Sequence, residues 1–214
     1  MEAEAARALA LSRQVDSLQG LVAKMEQESR AAAKAAQTAS LQGAPADLAN
    51  GKPNVEGLKN ASRMAPAIAF ASAKGMLSLP VNGVRLRNFG ASDGVGGADK
   101  GISVATRAGA QVTTPCDGWV VYSGPFRSYG QLLILNAGGG YHVLIAGMER
   151  ISVNIGQFVV AGEPIAVMGS TSRVASVIAA NASQPVLYIE FRKDGTPIDP
   201  GPWWAANEGE KVRG

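Results

Sequence analysis

The sequence predicts a mainly β fold, an antiparallel β-sandwich or open barrel, preceded by N-terminal helices. Three observations carry this. From Met76 onward the apolar residues recur with a period of two, the spacing of a pleated strand. Turn residues punctuate those runs, because most of the 26 glycines and 11 prolines lie after Lys74. No helical pattern of any length separates the successive strands, which argues for strands paired with their neighbours and packed as layers.

The N-terminal part reads differently. Residues 4–38 predict one helix. Leu11, Val15, Leu18, Val22 and Met25 recur at alternating spacings of four and three, the narrow stripe of a coiled-coil seam. Gly43, Pro45, Gly51 and Pro53 interrupt any helix over the linker that follows. A second helix is expected from about Val55 to Lys74, with Pro66 kinking or restarting it and Gly75 ending it. The strands expected after it are 84–87, 102–105, 110–113, 118–123, 131–135, 141–146, 157–160, 164–168 and 186–192. Their turns include Asp117-Gly118, Gly138-Gly139-Gly140, Ala161-Gly162 and Asp194-Gly195. Residues 170–184 read as a long loop with a short helical turn near 174–180. The chain therefore divides into a coiled-coil-like helix over 1–39, a linker and second helix over 40–74, a β-domain over 75–204 and a tail over 205–214.

Composition excludes several functions. Net charge is +3, spread evenly, without the concentrated positive field of a nucleic-acid-binding domain. The single cysteine, Cys116, forms no intrachain disulfide. No apolar run is long enough to span a membrane as a helix. The first residues are charged and alanine-rich, unlike a signal peptide, and read as the start of a piece of a longer exported protein.

Catalytic chemistry finds little support in the residues. The one histidine, His142, cannot by itself supply a catalytic zinc site, which takes three protein ligands. Cys116 has no histidine partner but His142, and no serine sits in a Gly-x-Ser-x-Gly elbow. Gly94-Val-Gly-Gly97 lacks the lysine and hydroxyl of a phosphate-binding loop. Nothing in the spacing of Asp93, Asp99, Glu163 and Glu190 marks a glycosidase pair.

The stretch from about Lys74 to Pro202 resembles the lysostaphin-type zinc metallopeptidases, or LytM domains. The resemblance rests on an ordered set of short pieces. Among them are Asn88-Phe-Gly90, Gly101-Ile-Ser-Val-Ala105, Pro115-Cys-Asp-Gly-Trp-Val120, Tyr129-Gly130, Val153-Asn-Ile-Gly-Gln-Phe-Val159, Gly162-Glu-Pro-Ile165, Tyr188-Ile-Glu-Phe-Arg192 and Asp194-Gly-Thr-Pro-Ile-Asp-Pro200. Active members carry two zinc ligands in a His-x-Gly-x-Asp motif; the matching residues here are Asp99 and Ser103. The third ligand, the second histidine of His-x-His, matches Tyr188, and the first, a catalytic histidine, matches Val186. A further catalytic histidine falls at Gly147. The resemblance therefore implies a scaffold without its zinc ligands, and no metal or cofactor is expected.

Within that family the layout of helix, connecting segment and degenerate domain resembles the non-catalytic, EnvC-like branch, the murein hydrolase activators. That likeness implies a periplasmic protein, here without its signal peptide, that binds N-acetylmuramoyl-L-alanine amidases and relieves their autoinhibition during septal peptidoglycan splitting. The full-length coiled coil would engage an inner-membrane ABC-transporter-like division complex, and peptidoglycan itself is a further expected partner. The amidase is expected to dock in a groove lined by the degenerate positions Asp99, Ser103, Gly147, Val186 and Tyr188, with Arg85, Lys100, Arg127 and Arg173 on its rim. The 55–74 helix is expected to restrain that groove. The competing expectations are a LytM endopeptidase with unorthodox ligands and a passive peptidoglycan-binding module.

Overall fold

The computed structural model describes residues 68–92, 98–126, 129–171 and 184–205, together with Gly20, Ala23, Lys24 and Gln27, which are helical. The rest of the helix expected over 4–38, the linker expected over 40–53, residues 55–67, most of the loop expected over 170–184 and residues 206–214 lie outside the described residues.

The strands are β1 (Gly83–Arg87), β2 (Ile102–Thr106), β3 (Gln111–Thr113), β4 (Gly118–Pro125), β5 (Gln131–Gly138), β6 (Tyr141–Met148), β7 (Arg150–Ile151), β8 (Phe158–Val159), β9 (Pro164–Val167), β10 (Val186–Lys193) and β11 (Thr196–Ile198). Every strand expected from the period-two pattern is present. The pattern does not predict the short β7 and β11, since so few residues show no period. A large antiparallel sheet has the order β1-β2-β10-β6-β5-β4-β8, with β11 paired to β10. A small sheet, β3-β9-β7, forms the second layer. The mainly β, sandwich-like expectation holds.

Alternation of side chains across the central strands makes two cores. Leu133, Leu135, Val143, Ile145, Leu187, Ile189 and Phe191 point to one face, here called the back. Val112, Ile165 and Ala166 of the small sheet join that cluster and cover it. Leu132, Ile134, Leu144, Ala146 and Tyr188 point to the opposite face, here called the front, and form a smaller cluster with Tyr122 and Phe126. A bulge in β4 makes this possible. The register shifts between Val120 and Tyr122, so Val120 faces the back core while Tyr122 faces the front one.

The end of the expected 55–74 helix turns out otherwise. Its described part is a single 3-10 turn, Phe70–Ser72, followed by Gly75 at φ 74°. Phe70 is buried in the back core, with its ring 5.1 Å from Tyr141, 5.2 Å from Phe191 and 5.7 Å from Trp203. The Trp203 indole N–H donates to the Phe70 carbonyl at 2.9 Å. The Leu77 N–H donates to the Trp203 carbonyl at 3.0 Å, and the Ala205 N–H to Leu77 at 2.8 Å. Buried aromatics add edge and stacking attraction to the area they remove from water, and here they tie the entry and exit of the β-domain together on its back. Phe70→Ala empties that junction and is expected to lower the unfolding free energy by at least about 3 kcal/mol. Urea denaturation checks it; a loss under about 1 kcal/mol would show that the junction does not hold the domain.

Candidate functional site

The degenerate positions converge on the front face where β2, β10 and β6 run side by side. Tyr188 lies opposite Ser103 of β2 and Ala146 of β6, and Val186 lies opposite Ala105. Ser103, Val186 and Tyr188 are all buried. Gly147 sits at the register shift of β6 against β5, with φ 98°, a backbone conformation that side chains other than glycine rarely adopt. Its lack of a side chain is thus a backbone requirement in this chain. Asp99 lies just before β2, largely shielded from solvent, with its carboxylate 3.3 Å from the Arg87 guanidinium.

Tyr188 fills the centre of the site. Its hydroxyl donates to Glu190 Oε2 at 2.6 Å, and Arg192 Nε donates to Glu190 Oε1 at 2.5 Å. Residues two apart on a strand share a face, so Tyr188, Glu190 and Arg192 line up along the front of β10. Glu190 and Arg192 are almost wholly buried, and an ion pair so placed is tolerated only because each charge is bonded by the other. The Tyr129 ring packs 5.7 Å from the Tyr188 ring on one side. On another, Gly101 leaves the space that ring needs: a Cβ there would stand 3.0 Å from Tyr188 Cζ and 2.3 Å from the Ile189 carbonyl oxygen. Burial first, then the Glu190 carboxylate, push the Tyr188 phenol well above its ordinary value. The same two causes raise Tyr129.

These donors do not fit a zinc ion. Zinc is held by thiolate, imidazole or carboxylate, in a deprotonated set that offsets its charge. Tyr188 holds its proton and uses it on Glu190, Ser103 is neutral, and Asp99, the one carboxylate among the matched positions, already faces a guanidinium that repels a dication. No group of three or more His, Cys, Asp or Glu side chains suited to a metal occurs among the described residues. His142 lies on the same face but further along, opposite Arg192.

The rim differs from expectation. Arg85 lies opposite Val104, so its side chain leaves the sheet on the back side, away from the degenerate positions. The next basic residue along β1, Arg87, lies opposite Ser103 and is the one that reaches the site. Lys100 is exposed beside Asp99. Arg127 and Arg173 lie outside the described residues. Period-two reasoning on β1 alone puts Arg85 and Arg87 on one face. The bulge at Leu86 separates them, and a bulge leaves no mark in residue spacing. Glu190 and Arg192 had a visible signal, since they follow Tyr188 at intervals of two.

Residues 97–200 match the family described as Peptidase family M23. This domain belongs to peptidase family M23. The fold of the M23 domain is also that of a zinc containing peptidase from Vibrio cholerae, at TM-score 0.50 and 24% identity over 60% of this chain and 40% of that one. Among curated relatives, the murein hydrolase activator NlpD of Salmonella typhimurium is 35% identical over 122 residues, 56% of this chain and 29% of its own. The murein hydrolase activator EnvC of Escherichia coli is 28% identical over 142 residues, 66% of this chain and 32% of its own. The chain thus spans about a third of the length of these relatives.

Two tests follow from the site of the M23 domain. Tyr188 stays protonated in the folded protein above the ordinary phenol pKa of about 10, while the unfolded chain ionises there. Its contribution to stability is therefore complete below pH about 10 and falls as pH rises beyond it. Denaturation at pH 8 and pH 11 is expected to show a smaller alkaline loss in Tyr188→Phe than in the parent; equal losses would contradict the assignment. Cys116 is buried, and burial followed by the neighbouring Asp117 raises its thiol to about 12. Iodoacetamide at pH 8 is expected to alkylate the native protein on the order of 100-fold more slowly than the denatured chain. Comparable rates would show the thiol to be open.

Proposed function

We propose that this chain is a non-catalytic activator of N-acetylmuramoyl-L-alanine amidases, working in the periplasm, and that it relieves amidase autoinhibition during septal peptidoglycan splitting. The observation that carries the reading is the replacement of a ligand set by a side-chain lattice. The M23 scaffold is kept, yet two of the positions matched to metal ligands are bonded to other side chains, Tyr188 in a line with Glu190 and Arg192, and Asp99 with Arg87. A front face built this way can hold its shape without a metal, and shape is what a docking surface requires. The names of the relatives NlpD and EnvC support the same direction.

In this proposal an amphipathic helix of the amidase docks over the front face, above the buried Ser103, Val186 and Tyr188 and beside Asp99 and Gly147, as helices settle in surface grooves. Lys100, Arg127 and Arg173, with Arg87 in the place given to Arg85, supply the charged rim. The N-terminal coiled coil joins the protein to an inner-membrane ABC-transporter-like division complex. Restraint of the groove falls to residues 55–67, because Phe70 to Leu77 are anchored on the back of the sheet.

Dye release from labelled sacculi by a zinc-dependent amidase is the test. The protein alone is expected to release nothing, and to stimulate the amidase when added. Release by the protein alone would replace the proposal with an endopeptidase, and sedimentation with sacculi without stimulation would replace it with a passive wall-binding module. Removal of residues 1–67, which spares the Phe70 anchor, is expected to tighten amidase binding. If a tenth of the molecules are open at rest, the gain is about 10-fold. Equal or weaker binding in calorimetry would remove the restraint from the proposal.

A further inference from the structure

Strand β1 is the terminal strand of the large sheet, and its outer edge faces away from β2. Its apolar residues are not buried: Val84 is 69% exposed and Leu86 46%. Gly83 brings no side chain, and a Cβ there would stand 2.1 Å from the Ala105 carbonyl oxygen. A cavity of about 570 Å³ opens at this end of the strand, lined by Asn82, Gly83, Val84, Ala105, Thr106 and Gln111 among others. An edge of this kind presents a row of backbone donors and acceptors that another strand can pair with.

We infer that the β1 edge takes an extended segment of a partner polypeptide in which apolar and acidic residues alternate. The register decides the pattern. Val84 lies opposite Ala105 and faces the front, while Arg85 lies opposite Val104 and faces the back. An added strand therefore needs an apolar side chain on the front, beside Val84, and a carboxylate on the back, beside Arg85, at alternate positions. The bulge at Leu86 ends the regular edge, so the pairing register is short and sits at the Gly83 end. A second copy of this chain is the wrong occupant. Antiparallel pairing of two β1 edges about Arg85 sets one Arg85 directly against the other, and like charges directly opposite destabilise a sheet. Arg85 thus opposes self-association in that register and is the residue that selects an acidic strand. This contact is independent of the helix proposed for the front face, and its test uses no amidase.

The probe is a fluorescein-labelled octapeptide of alternating glutamate and valine, titrated into the full chain by anisotropy at low salt. Two control peptides accompany it: one of the same composition in two blocks, and one N-methylated at every second residue. The alternating peptide is expected to bind at least about 10-fold more tightly than either control. Arg85→Glu is expected to weaken it at least about 10-fold. Val84→Asp, at a site so exposed that folding is retained, is expected to weaken it similarly, with unchanged circular dichroism as the check. Equal binding of the block or N-methylated peptide would overturn the inference in favour of simple charge attraction. So would indifference to Arg85→Glu. A concentration-dependent dimer lost in Val84→Asp would assign the edge to a second copy. Sedimentation with sacculi that Arg85→Glu abolishes, without peptide binding, would assign it to the cell wall.

Discussion

Strand β10 has a neighbour on each side and a packed cluster over each face, so no side chain from Val186 to Arg192 can turn to water for its hydrogen bonds. Its back-facing residues, Leu187, Ile189 and Phe191, meet that condition by being apolar. On the front, beyond the apolar Val186, three residues do not: a phenol, a carboxylate and a guanidinium follow at intervals of two. Burying any one of them alone costs several kcal/mol. Together they satisfy one another, with Glu190 accepting from both neighbours. The arrangement is all-or-none in character, because removing the central carboxylate strands a buried cation. The rest of the front face is fitted around it. Gly101 clears space for the Tyr188 ring, Tyr129 packs against that ring, and Ser103 is left small opposite it.

This explains how a metallopeptidase scaffold can keep its shape with a different centre. In a zinc site the ion draws side chains from separate strands to one point and offsets their charge. Here the cross-links are two. One runs along β10 through Glu190, and the other joins the β1 edge to the segment before β2 through Arg87 and Asp99. Both tie side chains to one another by hydrogen bonds and ion pairs and so help to hold the shape of the front face.

The back of the sheet solves a different problem. The segments entering and leaving the domain would otherwise hang from its edge. Phe70, Leu77, Trp203 and Trp204 instead clamp them to one another and to Phe191. The aromatic junction fixes where the chain enters the β-domain at Phe70 and leaves it at Trp204. A segment that reads as one helix to Lys74 in the sequence is therefore divided: the part from Phe70 onward belongs to the core, because one aromatic side chain there contributes more by burial than a further helical turn would.

From the sequence alone the strands were legible, because period two, turn glycines and the switch away from the heptad stripe are local properties of neighbouring residues. The residue types at the positions matched to the family's zinc ligands are legible too, since they are read directly from the sequence. How those side chains are bonded is not. The bond from Tyr188 to Glu190 has the right spacing in the sequence, but only burial on both faces makes it obligatory, and burial is a property of the packed sheets. The direction of Arg85 and Arg87 could not be read either. It turns on one bulged residue, Leu86, and bulges arise from how two strands pair and carry no signature in either strand by itself.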